Sequence, residues 1–215
     1  MGKRYAAAIK IGMFMIMPAV FMLVVGSLYA RTDDGKSRLI VLADMGNEPD
    51  EVQQMLHLLV CSNEIQIEGL IAVTGKHLRP SNPRPYRRVP HPELFHRLID
   101  GYEQVYSNLR LHADGWSAPF YLHSIVATGQ TGYGIGDVGE GKSSPGSQLI
   151  TEAVTRSDPR PLHIVINAGS NTLAQALYDY RATHSPEDLK AFVDKIRVFE
   201  NQAQDDAGAW ICHEF

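Results

Sequence analysis

The stretch Ser37–Glu51, SRLIVLADMGNEPDE, decides the fold. Its first seven residues form a mainly aliphatic and β-branched run without polar alternation, which suits a strand buried on both faces of a parallel sheet. Pro49 then opens a helix whose apolar residues Val52, Met55, Leu56, Leu59 and Val60 recur at helical spacing. Ile65 to Thr74, IQIEGLIAVT, reads as a second strand. Strand, helix, strand in that order implies a parallel pair joined by a right-handed crossover.

Later segments repeat this grammar. Helices are expected over Leu94–Leu111, Tyr121–Ala127, Ser147–Thr155 and Asn171–Ala182, and from the Ser185 cap through Val193. Leu162–Asn167 is the third expected strand, and Ile196–Phe199 begins a fourth. Two stretches read as loops. Prolines at 80, 83, 85, 90 and 92 break up Lys76–Pro92, and Gly129–Gly146 holds seven of the 18 glycines.

Working toward the N-terminus, Lys3, Arg4 and Lys10 are the only charges in the first 30 residues, and an apolar run from Ile11 to Val25 leads to Ser27 and Ala30. This is the layout of a secretory signal cleaved after Ala30, which leaves no stable membrane span and an exported, periplasmic or extracellular, domain over 31–215. A retained anchor is the alternative. The whole chain carries −4, so the part beyond the leader is more acidic still, which excludes a basic nucleic-acid surface. Two cysteines, Cys61 and Cys212, cannot make a disulfide-dense scaffold or a four-cysteine zinc site. A buried free thiol is expected at Cys61, where the apolar helix ends, and a disulfide with Cys212 is the alternative.

Gly136 to Ser143, GDVGEGKS, matches the phosphate-loop pattern letter for letter. The context argues against it, because Thr128–Ile135 is too glycine-rich for a buried feeding strand and Pro145-Gly146 prevents a helix from starting at Lys142. The nine histidines never fall at ligand spacing on one helix, and no G-x-S-x-G elbow mounts a nucleophile. Trp116, Trp210, Tyr121 and Tyr133 are candidates for stacking on sugar rings, with core packing the commoner use of such side chains.

Chemistry concentrates in Asp44-Met45-Gly46-Asn47-Glu48-Pro49-Asp50-Glu51, directly after the first strand, where open α/β sheets place their ligands. Four carboxylates in eight residues repel one another, and at a partly buried strand end they call for a cation. Hard oxygen donors in this number suit Ca²⁺. An acidic first turn that merely complements the helix dipole would explain Glu48, Asp50 and Glu51, but not Asp44, which precedes the helix.

Taken with the strand end GLIAVT (69–74), the loop GIGDVGEG (134–141), the turn NAGSNTLA (167–174) and QDDAGAW (204–210), the acidic stretch resembles the nucleoside hydrolase-like domain of secreted bacterial cellulose-binding proteins. That domain is a relative of the inosine-uridine nucleoside hydrolases. The resemblance implies a Rossmann-like three-layer α/β sandwich with a mainly parallel sheet. It implies Asp44 as catalytic base and metal ligand, Asp50, Glu51 and the main-chain carbonyl of Ala168 as further Ca²⁺ ligands, and Asn47, Glu48, Asp137, Asn171, Asp205 and Asp206 as substrate contacts. The implied reaction is attack of water on an anomeric carbon of a riboside or related carbohydrate, with an oxocarbenium-like transition state. The chain departs from the pattern of the inosine-uridine nucleoside hydrolases themselves in having Leu42 at the place of the first aspartate, extra residues around Asn47–Pro49, and Lys76 and His77 near the place of the usual asparagine. It also lacks the C-terminal segment that supplies the last metal-binding aspartate, so the expectation is a domain incomplete at its C-terminus. Two functions follow: a Ca²⁺-assisted glycosidic-bond hydrolase, or a carbohydrate-associated binding protein on a catalytically inactive scaffold.

Overall fold

In the computed structural model, which describes residues 35–201 and 204–215, every strand of the sheet runs parallel to its neighbour. The expected export leader lies outside the described residues. Lys36–Phe215 is one compact unit. Its elements in chain order are β1 (Ser37–Ala43), α1 (Pro49–Leu59), β2 (Ile65–Ala72), α2 (Pro92–Leu109), α3 (Pro119–Ser124), β3 (Val126–Thr128), α4 (Pro145–Thr155), β4 (Leu162–Ile166), α5 (Ser170–Thr183), α6 (Pro186–Asp194), β5 (Ile196–Glu200) and α7 (Ala207–Glu214). Short 3₁₀ turns at Pro85–Arg88 and Ile135–Asp137 lie in the two long loops.

The sheet order is β3-β2-β1-β4-β5. β1 is therefore central, hydrogen-bonded to β2 and β4, and this is why its sequence shows no alternation: Ile40, Leu42 and Ala43 have no exposure and Val41 almost none. Two apolar layers cover the sheet. On one face Ile40, Leu42, Ile71, Ile164 and Ile166 pack with Ile150 and Val154 of α4, Leu173 and Leu177 of α5 and Phe192 of α6. On the other Val41, Ala43, Ile67 and Leu70 pack with Met55 and Leu59 of α1, Phe95 and Ile99 of α2 and Leu122 of α3. The result is the three-layer α/β sandwich that the sequence predicts.

Several boundaries differ from the sequence-based expectation. β2 ends at Ala72 rather than Thr74. The helix expected over Tyr121–Ala127 is split, because Ser124 closes α3 and Val126–Thr128 joins the sheet edge beside β2. A three-residue strand is too short to show a period. On α1 only Met55 and Leu59 of the apolar stripe are fully buried, while Leu56 and Val60 are 48% and 36% exposed. Cys61 is an exposed free thiol, as is Cys212, since the turn after α1 carries Cys61 outward from the core. The phosphate-loop look-alike is a loop: β3 stops at Thr128, Lys142 Nζ donates to the Gly136 carbonyl at 2.7 Å, and α4 starts only at Pro145 under a Ser144 cap. Among the described residues no helix is long and apolar enough to cross a membrane.

At the amino end of the sheet the strands bury an ion pair. Arg38 of β1 and Glu68 of β2, with 0% and 1% exposure, meet through two parallel bonds of 2.9 Å. Arg156 adds a third donor to Glu68 at 3.1 Å, and Arg38 also donates to the Ala153 carbonyl at 2.6 Å. Removing one member of such a pair leaves the other charge buried and alone. Glu68→Gln is expected to cost about 3 kcal/mol or more of unfolding free energy in a urea titration; a loss below about 1 kcal/mol would mean that water replaces the pair.

Candidate functional site

The chain enters the sheet at β1, steps to β2 and β3 on one side, and then returns to place β4 on β1's other side. Between β1 and β4 the strand order reverses, and the crevice beyond the carboxyl ends of two such strands is where open α/β sheets bind ligands. Asp44 follows β1 at this point, and Asn167 and Ala168 follow β4. Both strand ends are fixed locally: Asn167 N–H donates to the Leu42 carbonyl at 2.9 Å, and Asn47 N–H to the Asp44 carbonyl at 3.0 Å.

Asp44 is 1% exposed and Glu51, in the first turn of α1, is 8% exposed. Asp44 Oδ2, Asn47 Oδ1 and Glu51 Oε2 are buried oxygens with no hydrogen-bond partner among the described residues. Burial raises the Asp44 pKa first, and the facing carboxylate of Glu51 raises it further, to about 8. Glu51 is also raised, again by burial first, with the negative charge of Asp50 adding to it. One carboxyl oxygen each from Glu48, Asp50 and Glu51 lie within 4.8 Å of one another. These three and Gln54, Asn167, Asn201 and Gln204 line a polar cleft of about 450 Å³, within the range of small-ligand sites.

Gly75 fixes the approach of the two strand ends. A Cβ there would come within 2.6 Å of Asp44 Oδ2 and 3.0 Å of the Ala168 Cβ. Asp44 and the buried Ala168 therefore close on one backbone position that only glycine fits. Gly169 follows in the left-handed region, at φ 71°, and turns the chain into α5.

The other nominated residues lie around the glycine-rich loop. Asn171, fully buried at the start of α5, donates from Nδ2 to the Gly132 and Gly134 carbonyls at 3.2 and 3.4 Å, leaving its Oδ1 without a partner. Asp137 Oδ2 accepts from Gly132 N–H at 2.6 Å, and Asp206 Oδ1 from Ile135 N–H at 2.7 Å. Asp205, 5% exposed, accepts from Asn171 N–H and Ala207 N–H; its pKa is raised by burial, which those bonds oppose. Asp137, Asp205 and Asp206 thus hold main chain in place, while Asp44, Asn47, Glu48, Asp50 and Glu51 gather at the strand end. Of the aromatic candidates, Tyr121 bonds the Ile67 carbonyl within the core, Tyr133 bonds the Gln204 carbonyl beneath Arg79, and Trp210 lies under Arg181. Gly75, Gln54 and Asn167 were not nominated from sequence. Asn167 had a usable signal, as the polar residue ending the strand next to β1.

The buried pair makes stability depend on pH. A folded-state pKa raised from 3.8 to about 8 means that the native state holds a proton that the unfolded chain has released across that window. Without divalent ions, unfolding free energy is expected to fall from pH 5 to pH 8 by up to about 1.4 kcal/mol per pH unit for one such proton. Asp44→Asn should flatten the slope; an equal slope in wild type and variant, read by urea unfolding in EDTA, would contradict this electrostatic reading.

Compared with known proteins, residues 38–215 match the family model of the nucleoside hydrolase-like domain of cellulose-binding Sde182. A solved structure of a nucleoside hydrolase-related hypothetical protein from Saccharophagus degradans, associated with carbohydrate metabolism, is similar at 41% identity and a TM-score of 0.77. The similarity covers 84% of this chain and 42% of that one, so the chain spans less than half of that protein's length. No curated protein matches.

Proposed function

This chain belongs to the Sde182 nucleoside hydrolase-like family, and we propose that it is an exported hydrolase that uses a divalent cation, Ca²⁺, to cleave an N-glycosidic or related glycosidic bond of a riboside or carbohydrate. The observation that carries this reading is the set of buried, unpartnered oxygens on Asp44, Asn47 and Glu51 at the point where the strand order reverses. A carboxylate pair kept from water without a counter-charge is costly, and oxygen-only donors fit a hard cation. Asp44, Asp50, Glu51 and the main-chain oxygen of Ala168 would hold the ion. When bound, it would supply positive charge that keeps the carboxylates ionised and makes a neighbouring water more acidic.

The roles of the chain's own groups follow from position. Asp44, buried at the end of β1, takes a proton from the attacking water on its Oδ2. The water oxygen bonds to the anomeric carbon, and the glycosidic bond breaks with its electron pair leaving on the departing group. Asn47 and Glu48, with Gln54 and Asn167, offer hydrogen bonds to sugar hydroxyls along the cleft. Asp137, Asn171, Asp205 and Asp206 shape the glycine-rich loop beside it, acting on substrate through that loop.

One observation favours the second reading, a carbohydrate binder without turnover. Leu42 stands at the place of the first aspartate in the motif of the inosine-uridine nucleoside hydrolases, and it is fully buried in the core, so it offers no ligand. Calorimetry with Ca²⁺, followed by assay on p-nitrophenyl riboside, distinguishes the readings. The hydrolase reading expects cation binding with cation-dependent turnover. Asp44→Ala should abolish binding and lower turnover about 100-fold or more, and Gly75→Ala should weaken cation affinity about tenfold. Cation binding with retention on insoluble cellulose and no turnover favours the binder, and the absence of any heat with Ca²⁺ contradicts the cation site.

A further inference from the structure

The proline-rich loop 76–92 carries five basic residues and no acid, and the proposed reaction uses none of it. With no carboxylate of their own to meet, its guanidinium groups bond main-chain carbonyls. Arg88 donates to the Asn82 carbonyl at 2.7 Å and braces the loop itself. Half-buried Arg87 reaches out of the loop and donates from Nη2 to the Asn47 carbonyl, also at 2.7 Å, in the middle of the acidic turn. Its own main chain is fixed on both sides, by Arg87 N–H to the Arg84 carbonyl at 2.9 Å and by Arg79 N–H to the Arg87 carbonyl at 2.8 Å.

A second grip lies one residue away. Gly46 has a φ of 92°, and a Cβ there would come within 2.8 Å of Tyr86 Oη and 3.1 Å of His91 Cδ2 and Leu94 Cδ1. Tyr86 is held in turn by His91, which stacks on its ring with centroids 4.0 Å apart and bonds its carbonyl through Nε2 at 2.7 Å. His91 immediately precedes α2, whose Phe95 and Ile99 belong to the core. The acidic turn is thus fastened to the scaffold through this loop. We propose that the loop is a clamp for that turn, with Arg87 as the positioning residue that holds Asn47 and its neighbours in the shape that presents Asp44 and Glu51. A guanidinium beside a turn with four carboxylates would ordinarily pair with one of them and take the place of a cation. Bonded to a carbonyl instead, Arg87 fixes the main chain and leaves the carboxyl oxygens available. Its effect on cation affinity rests on the hydrolase reading, whereas the clamp itself does not.

Hydrogen exchange of the full chain in EDTA tests the clamp, because the Asn47 N–H donates to the Asp44 carbonyl across the turn and reports its opening. Arg87→Met should speed exchange of that amide about tenfold, the loss of one charge-assisted bond. The amides of β1 and α2 should be unchanged, and Arg87→Lys should restore most of the protection. Calorimetry with Ca²⁺ adds a second readout: affinity should fall about tenfold in Arg87→Met and less than about threefold in Arg87→Lys, as for groups that orient metal ligands. Unchanged exchange in Arg87→Met overturns the proposal, as does faster exchange spread over β1 and α2, which marks a general loss of stability. A higher Ca²⁺ affinity in Arg87→Met overturns it too, by making the guanidinium a repelling charge rather than a support. If the wild type gives no heat with Ca²⁺ while the Asn47 amide behaves as expected, the cation reading fails and the clamp stands.

Discussion

Two carboxyl groups, Asp44 and Glu51, are held out of water where the central strand stops, and the arrangement around them follows from that constraint. Asp44 stands there because β1 is buried on both faces and both edges, so its last side chains have nowhere to go but inward. Glu51 meets it because Pro49 starts α1 at once, with Asn47 and Glu48 forming the corner. Gly75 closes the space from the β2 side and Ala168 from the β4 side. Among the described residues neither carboxyl has a basic partner, and the Arg87 guanidinium near this corner bonds the Asn47 carbonyl instead, at 2.7 Å.

The same sheet shows how this fold treats a buried carboxylate that is purely structural. At its amino end Glu68 receives two bonds from Arg38 and one from Arg156, and Arg160 hydrogen bonds hold the nearby Asp158 well below the usual carboxylate range. Charge there is balanced by side chains within hydrogen-bond reach. At the carboxyl end it is not, and the imbalance raises the pKa of both acids. A perturbed, uncompensated pair, of which Glu51 lines a polar cleft at a topological switch point, has the character of a ligand site rather than of a stability element. The contrast separates the two ends more sharply than family resemblance does.

Much of this was legible in the sequence, and the limits have physical causes. The unbroken apolar run of β1, the Pro49 helix start and Asp44 ahead of it suffice to place an acidic site on a parallel sheet. β3 left no readable period in three residues, so the sheet has one strand more than the sequence suggests. Cys61 follows an apolar stripe but lies in a turn that leaves the core, a distinction that depends on the helix ending at Leu59. Asp137 and Asp206 each use one carboxyl oxygen to accept from a loop amide, a pairing that depends on the folded shape of the glycine-rich loop and leaves no one-dimensional signal. Gly75 could be valued only once Asp44 and Ala168 were seen on either side of it.

The most direct measurement is anomalous diffraction from crystals soaked in a calcium-mimicking lanthanide. A single strong peak coordinated by oxygens of Asp44, Asp50 and Glu51 and by the Ala168 carbonyl is the result the account predicts. A map with no peak in that crevice at a saturating lanthanide concentration would contradict it.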